Sequence, residues 1–274
     1  MPRATVNNIE LHYVEGGAGE ETVVLAHSYL VDHQHFAAQI EALEPNFRVV
    51  AYDHRDHGHS AKATPAYDLD DLVDDAVALI EHTGAAPCHF VGLSTGGFIG
   101  MRLALRRPEL LRSLVLIDTS AGAEPLLKRL KYRAMFLVLR TLGVGPLVGT
   151  AMGLLFDPVT LRDPARRAEM ARWRERLRAN DPRALMRFGN AIFARESVLD
   201  QLGRITTPTL LMVGEHDKPT PPVCARRIAE AIPGARLEVI PRAGHLSTVD
   251  APQAVNAVLV PFISARRDGA RSKP

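Results

Sequence analysis

Two hydrophobic rhythms alternate along the chain. Ile9 to Val14 switches between apolar and polar residues, the pattern of a strand with one covered face. Thr22 to Ala26 and Cys88 to Leu93 are continuous apolar runs, as expected of strands covered on both faces. Arg48 to Tyr52, Ser113 to Ile117, Thr209 to Val213 and Arg236 to Ile240 read as further strands. Between them lie helical patterns at Asp32 to Leu43, Asp68 to His82, Thr95 to about Arg107, Pro222 to Ile232 and Ala251 to Ile263. The Asp68 segment sets Leu69, Leu72, Val73, Ala76, Leu79 and Ile80 at helical spacing beneath an acidic outer face. Strand–helix alternation predicts an α/β protein: a mostly parallel central sheet flanked by helices on both faces. Ligands of such sheets bind beyond the carboxyl ends of the strands.

The rhythm stops between about Gly122 and Leu199, where only helical patterns and breakers remain. This divides the chain into a core of residues 1–121 and 200–264, a helical cap at 122–199, and a polar, basic, flexible tail at 265–274. Arg162 to Arg178 is densely charged and reads as a solvated helix face. Ala134 to Phe156 holds 23 residues with Arg140 as the sole charge, and Gly145, Gly149 and Gly153 recur at every fourth position. Arg140, Pro146 and the close pair Gly143 and Gly145 would break a single span. Two short helices with a turn near Gly143 to Pro146 are expected, with no stable membrane insertion. The glycine-spaced segment offers a surface for a homodimer.

The 274 residues are 46% hydrophobic and 23% charged, with a formal net charge of +2. That composition excludes wholesale disorder and provides no electrostatic footprint for nucleic acid. Two cysteines, Cys88 and Cys224, are too few for a disulfide framework. Met1 to Gly17 has no apolar core of signal-peptide length, so a cytoplasmic protein with reduced thiols is expected.

Candidate chemistry gathers where strands end. After the Cys88 strand comes Gly92-Leu93-Ser94-Thr95-Gly96-Gly97. A serine on a sharp strand-to-helix turn needs small residues two positions to either side, and Gly92 and Gly96 meet that demand. Ser94 is the expected nucleophile. A serine hydroxyl needs a base at neutral pH. Among eleven histidines, His245 lies between the last strand and the last helix. Asp217, after the Thr209 strand, is the expected partner of that imidazole, with Asp118, Glu215 and Asp250 as rivals. A developing oxyanion needs donors. The Thr95 N–H is one; the second is the backbone N–H of Tyr29, with Ser28 as alternative. Ser28, Tyr29, Met135 and Leu139 are expected to contact substrate.

On these motifs the chain resembles the α/β-hydrolase superfamily, in its capped branch of esterases and lactonases. His27 and its loop, Asp53-His54-Arg55-Asp56-His57-Gly58-His59-Ser60, the serine turn, and Asp217 with His245 carry the resemblance, which covers Val6 to Ile263. The phrase Val91 to Gly97 is most similar to enol-lactonases of aromatic catabolism and to cofactor-free perhydrolases. The resemblance implies a cap inserted after the sixth strand, no cofactor, and hydrolysis of a small-molecule ester or lactone. The family usually has glycine where Ser28 and Asp56 stand. Arg55 or a neighbouring histidine is the expected partner of the Asp56 charge. Perhydrolase and thioesterase chemistry are the enzymatic alternatives, and a ligand receptor on the same scaffold is the non-enzymatic one. The cluster of His54, Asp56, His57 and His59 contains half of a binuclear zinc motif, but Tyr52 stands where another histidine is needed, so no metal site is expected.

Overall fold

The computed structural model describes residues 2–268. Eight strands form one sheet: β1 (Arg3–Val6), β2 (Ile9–Gly16), β3 (Thr22–Ala26), β4 (Arg48–Tyr52), β5 (Cys88–Leu93), β6 (Leu111–Ile117), β7 (Thr209–Gly214) and β8 (Arg236–Ile240). Their spatial order is β1-β2-β4-β3-β5-β6-β7-β8. β1 and β2 pair antiparallel, as do β2 and β4; the pairs from β4 through β8 are parallel. This is the α/β class that the alternation predicts. β1 escapes the sequence pattern because it spans four residues of which only Ala4 is buried.

Every residue of β3, β5 and β7 is buried, because helices cover both faces. Alternate side chains enter two separate cores. Val24, Phe90, Leu114 and Leu211 face one core with α2 (Leu69–His82), α3 (Thr95–Arg106) and α9 (Pro222–Ala231). Val23, Val91, Val115 and Leu210 face the other with α1 (Ala37–Leu43) and α11 (Pro252–Asp268). The expected Asp32 helix is a 3-10 turn, His33–Phe36, running into α1, with Asp32 as its cap. The terminal helix continues to Asp268, beyond the predicted Ile263 and through the start of the predicted flexible tail; residues 269–274 of that tail lie outside the described residues.

Between β6 and β7 the chain is helical: α4 (Leu126–Leu142), α5 (Val148–Leu155), α6 (Pro158–Arg162), α7 (Arg167–Arg178) and α8 (Pro182–Phe193). The Ala134 to Phe156 stretch is two helices broken at Gly143, and no described helix is long and apolar enough to cross a membrane. α7 is less solvated than its charge suggests, since Met170, Trp173 and Leu177 are buried.

An ion pair ties this helical segment to the loop after β4, and it corrects an expectation. Arg55 does not meet Asp56; its guanidinium makes two bonds of 2.6 Å to the carboxylate of Asp75 in α2. Asp56 instead accepts two bonds from Arg187 of α8, at 3.0 and 2.5 Å, and one from the Tyr67 hydroxyl at 2.8 Å. The reason is geometric. Asp56 has φ +67°, a left-handed conformation that aspartate tolerates better than most residues. Its carboxylate is buried, so the planar fork of Arg187 satisfies both oxygens at once. Arg187→Ala should lower stability by about 2 kcal/mol, under the usual range for a fully buried pair because Arg187 remains partly in water. Adding Asp56→Gly should recover most of that loss, because it removes the stranded charge. Urea unfolding of the single and double variants checks this; additive losses would contradict it.

Candidate active site

Ser94 joins β5 to α3 with φ +52° and ψ −103°, a strained conformation for a residue with a Cβ. Its N–H donates to Ile117 O on β6 (2.8 Å), and its carbonyl accepts from the Thr119 hydroxyl (2.8 Å) and the Phe98 N–H (3.0 Å). These bonds fix the turn on three sides. A Cβ on Gly92 would lie 2.2 Å from the Gly96 carbonyl carbon, and one on Gly96 would lie 2.0 Å from the Ala26 carbonyl oxygen. Both obstacles are backbone, so neither can yield cheaply. The turn therefore forces α3 close against β3 and β5.

The turn lifts the Ser94 hydroxyl to the carboxyl end of the sheet, where two loops meet it. Ser94 Oγ lies 3.0 Å from His245 Nε2, and His245 Nδ1 lies 3.0 Å from each carboxylate oxygen of Asp217. All three side chains are buried. Residues separated by as many as 151 positions thus form one hydrogen-bonded chain. Thr220 completes it: its N–H (2.9 Å) and hydroxyl (2.8 Å) both donate to Asp217. Burial opposes the imidazolium form of His245, but the charge and hydrogen bond of Asp217 outweigh it and raise the histidine above its ordinary value.

The rival acids are occupied elsewhere. Asp118 accepts from the Gly214 N–H (2.7 Å) and from the N–H and hydroxyl of Ser247 (3.2 and 2.6 Å). Burial, with the charge of Asp217 nearby, pushes Asp118 up to about 8. Asp250 accepts from the Gly244 and Asp157 N–H groups, both at 2.8 Å, and so joins the His245 loop to the start of α6. Glu215 is half-exposed and accepts from the Arg242 N–H.

The loop after β3 is locked by two histidines. His27 Nε2 accepts from the His54 N–H (2.8 Å), so the ring donates through Nδ1 to Ser28 O (2.6 Å). His54 Nε2 donates in return to His27 O (2.8 Å). Burial pushes His54 down to about 4 and His27 well below its ordinary value, which keeps both rings neutral. A trans peptide sets its C=O and N–H in opposite directions. With Ser28 O held by the His27 ring, the Tyr29 N–H points away from that ring. The Tyr29 hydroxyl donates to Leu185 O of α8 (2.8 Å), and its ring stacks on Phe188.

A cavity of about 300 Å³ opens above Ser94. Ser28, Tyr29, Met135, Leu139 and His245 line it, so the structure brings the predicted contact residues to one space. Thr95 begins α3 beside Ser94, and its N–H is among the first of a helix, which have no intrahelical acceptor. Sequence reasoning missed Thr220, whose only signal is its place three residues after Asp217. It also missed the pair of Glu124 and Arg195 (3.0 Å) at the cavity wall, which no spacing reports.

The histidine-rich segment has its own account. Asp53 gathers His12, His33 and His59: one oxygen accepts from His33 N (2.9 Å) and Nδ1 (2.8 Å), the other from His12 Nδ1 (2.9 Å) and His59 N (3.0 Å). Potential metal ligands of His12, His33 and Asp53 lie within 4.8 Å of one another, but these four donors already satisfy both carboxylate oxygens. Of the half-motif, His54 is bonded to the His27 loop, and Asp56 to Arg187 and Tyr67.

A test of the turn follows from its contacts. Gly96→Ala should cost about 3 kcal/mol or more, because a backbone carbonyl must move. Gly149→Ala, on α5 with nothing within 4 Å of the new Cβ, should be neutral or stabilise by up to about 1 kcal/mol. Thermal unfolding compares the two; equal stability would contradict the packing argument.

A family model described as alpha/beta hydrolase fold matches residues 21–252. A protein of Caulobacter sp. (strain K31), provisionally named carbamate hydrolase RutD, is 31% identical over 96% of this chain and 98% of its own length. The enol-lactonase from Burkholderia xenovorans LB400 superposes with a TM-score of 0.89 at 29% identity, over 96% of this chain and all of that one. A thermophilic esterase from Thermogutta terrifontis superposes with a TM-score of 0.90 at 26% identity, over 97% and 99% of the two chains.

Proposed function

Because the chain belongs to the alpha/beta hydrolase fold family, we propose that it is a serine hydrolase of small carboxylic esters or lactones, working through an acyl-enzyme. The observation that carries this reading is the continuous path from Ser94 Oγ through His245 to Asp217, each link 3.0 Å. Relatives named as an enol-lactonase and an esterase support the substrate class.

In this reading His245 Nε2 takes the Ser94 proton as Oγ bonds to the acyl carbon. The carbonyl oxygen becomes an oxyanion held by the Thr95 and Tyr29 N–H groups; one such donor contributes about 2.7–4 kcal/mol in other enzymes. Asp217 keeps the His245 Nδ1–H in place and stabilises the imidazolium. His245 then protonates the leaving oxygen, which departs. Water attacks the acyl-enzyme, giving its proton to the same histidine, and the acid leaves with Ser94 restored. The α4–α8 segment acts as a cap over the cavity, and its apolar wall excludes water and strengthens these interactions.

The reading fixes a pH profile. His245 must be neutral to accept the proton. Since Asp217 raises its pKa, kcat/KM should rise with pH through an inflection above the ordinary histidine value of 6.5. Asp217→Asn should lower turnover by about 10⁴-fold and move the inflection down, with little change in unfolding temperature. An unchanged profile would contradict the role of Asp217.

A fluorophosphonate probe tests the nucleophile. It should label the wild-type protein and fail on Ser94→Ala, while a panel of short esters and lactones is turned over by the wild type alone. Treatment with a chelator should leave the rate unchanged. Ligand binding without turnover in the wild type would instead indicate a receptor.

A further inference from the structure

Helix α4 carries two apolar faces. Tyr132, Met135, Phe136 and Leu139 line the cavity. On the opposite side Leu126, Leu130, Ala134 and Leu137 follow one another at spacings of four, four and three, which places them along one stripe. Leu127 widens the stripe near its start, and Leu142 lies at the helix end. The five leucines are between 51% and 75% exposed. Isolated exposed leucines are ordinary; five on one helix are not.

The charges that α4 itself carries beside the stripe all have one sign. At helical spacing Arg129, Arg133 and Arg140 run along one border and Lys131 along the other, all exposed. α4 contains no Asp or Glu. Lys128 turns inward and donates to Pro219 O. Among the described residues none of the four outward cations pairs with a carboxylate. A leucine stripe edged by cations is the pattern of a helix that lies in the headgroup layer of a membrane.

We propose that the outer face of α4 docks on an anionic lipid surface, with its leucines among the acyl chains and its cations against the headgroup phosphates. Charge selects this occupant. A two-fold dimer through the same face would set one cationic border against its copy, and like charges repel. The docked helix lies on the membrane rather than through it, since it is too short and too charged to span. The position of α4 adds a consequence, which rests on the hydrolase reading above. One face would touch lipid while the other walls the cavity over Ser94, so the substrate class narrows to lipophilic acyl esters drawn from the surface.

Flotation with lipid vesicles tests docking without turnover. The full-length Ser94→Ala protein should float with phosphatidylcholine vesicles that contain phosphatidylglycerol, far less with phosphatidylcholine alone, and be released by salt. Adding Leu130→Asp and Leu137→Asp should reduce the vesicle partition coefficient roughly tenfold or more per leucine replaced. In the wild-type background the same two changes should leave hydrolysis of a water-soluble short ester unchanged, because neither residue lines the cavity. Absence of flotation with the anionic vesicles, or flotation indifferent to the two leucines, overturns the proposal. A dimer in sedimentation that the two changes dissociate, with no vesicle binding, also overturns it and assigns the face to a second copy. Vesicle binding in a protein that hydrolyses no ester supports docking while contradicting the hydrolase reading.

Discussion

A backbone angle organises this molecule. Ser94 stands at φ +52° between β5 and α3, and the chain reaches that conformation only because Gly92 and Gly96 carry no Cβ. The bond from Ser94 N–H to Ile117 O locks the turn to β6, and the tight approach of Gly96 to Ala26 locks it to β3. Three adjacent parallel strands therefore fix where one hydroxyl points. The strain is local, and the two cores on either side of the sheet hold it in place.

Around that hydroxyl the polar groups divide their work. Asp217 and Asp118 both sit near His245, yet they are not equivalent. Asp217 accepts from Thr220 and faces the imidazole, whereas Asp118 spends its oxygens on Gly214 and Ser247 and so ties the end of β7 to the start of α10 (Ser247–Asp250). Burial pushes Asp118 up to about 8, so its proton binding differs from that of an ordinary carboxylate. Asp250 plays a similar tethering part between the His245 loop and α6. Backbone N–H groups and hydroxyls that donate to acidic side chains hold the site together.

Much of this was legible in the sequence, for physical reasons. β3, β4 and β5 have the predicted bounds, because an apolar run between turn residues leaves little freedom; β8 has them too, although it alternates and only Ile240 is buried. Ser94, Asp217 and His245 each follow a strand, and the parallel sheet delivers strand ends to one edge. What escaped was tertiary pairing. Nothing local tells Asp56 that its partner is Arg187, 131 positions away, rather than its neighbour Arg55. The outward leucines of α4 escaped for a related reason: an apolar residue in a sequence reads as core, and only the packed structure shows which face has no neighbour. β1 was too short and too exposed to register.

The most direct measurement is a crystal structure of the protein after reaction with a small alkyl fluorophosphonate, whose tetrahedral phosphorus stands for the acyl carbon of the transition state. The account predicts phosphorus bonded to Ser94 Oγ, with the phosphoryl oxygen about 2.7–3.1 Å from both the Thr95 and Tyr29 N–H groups. Phosphorus on another residue, or a phosphoryl oxygen turned away from both amides, would contradict it.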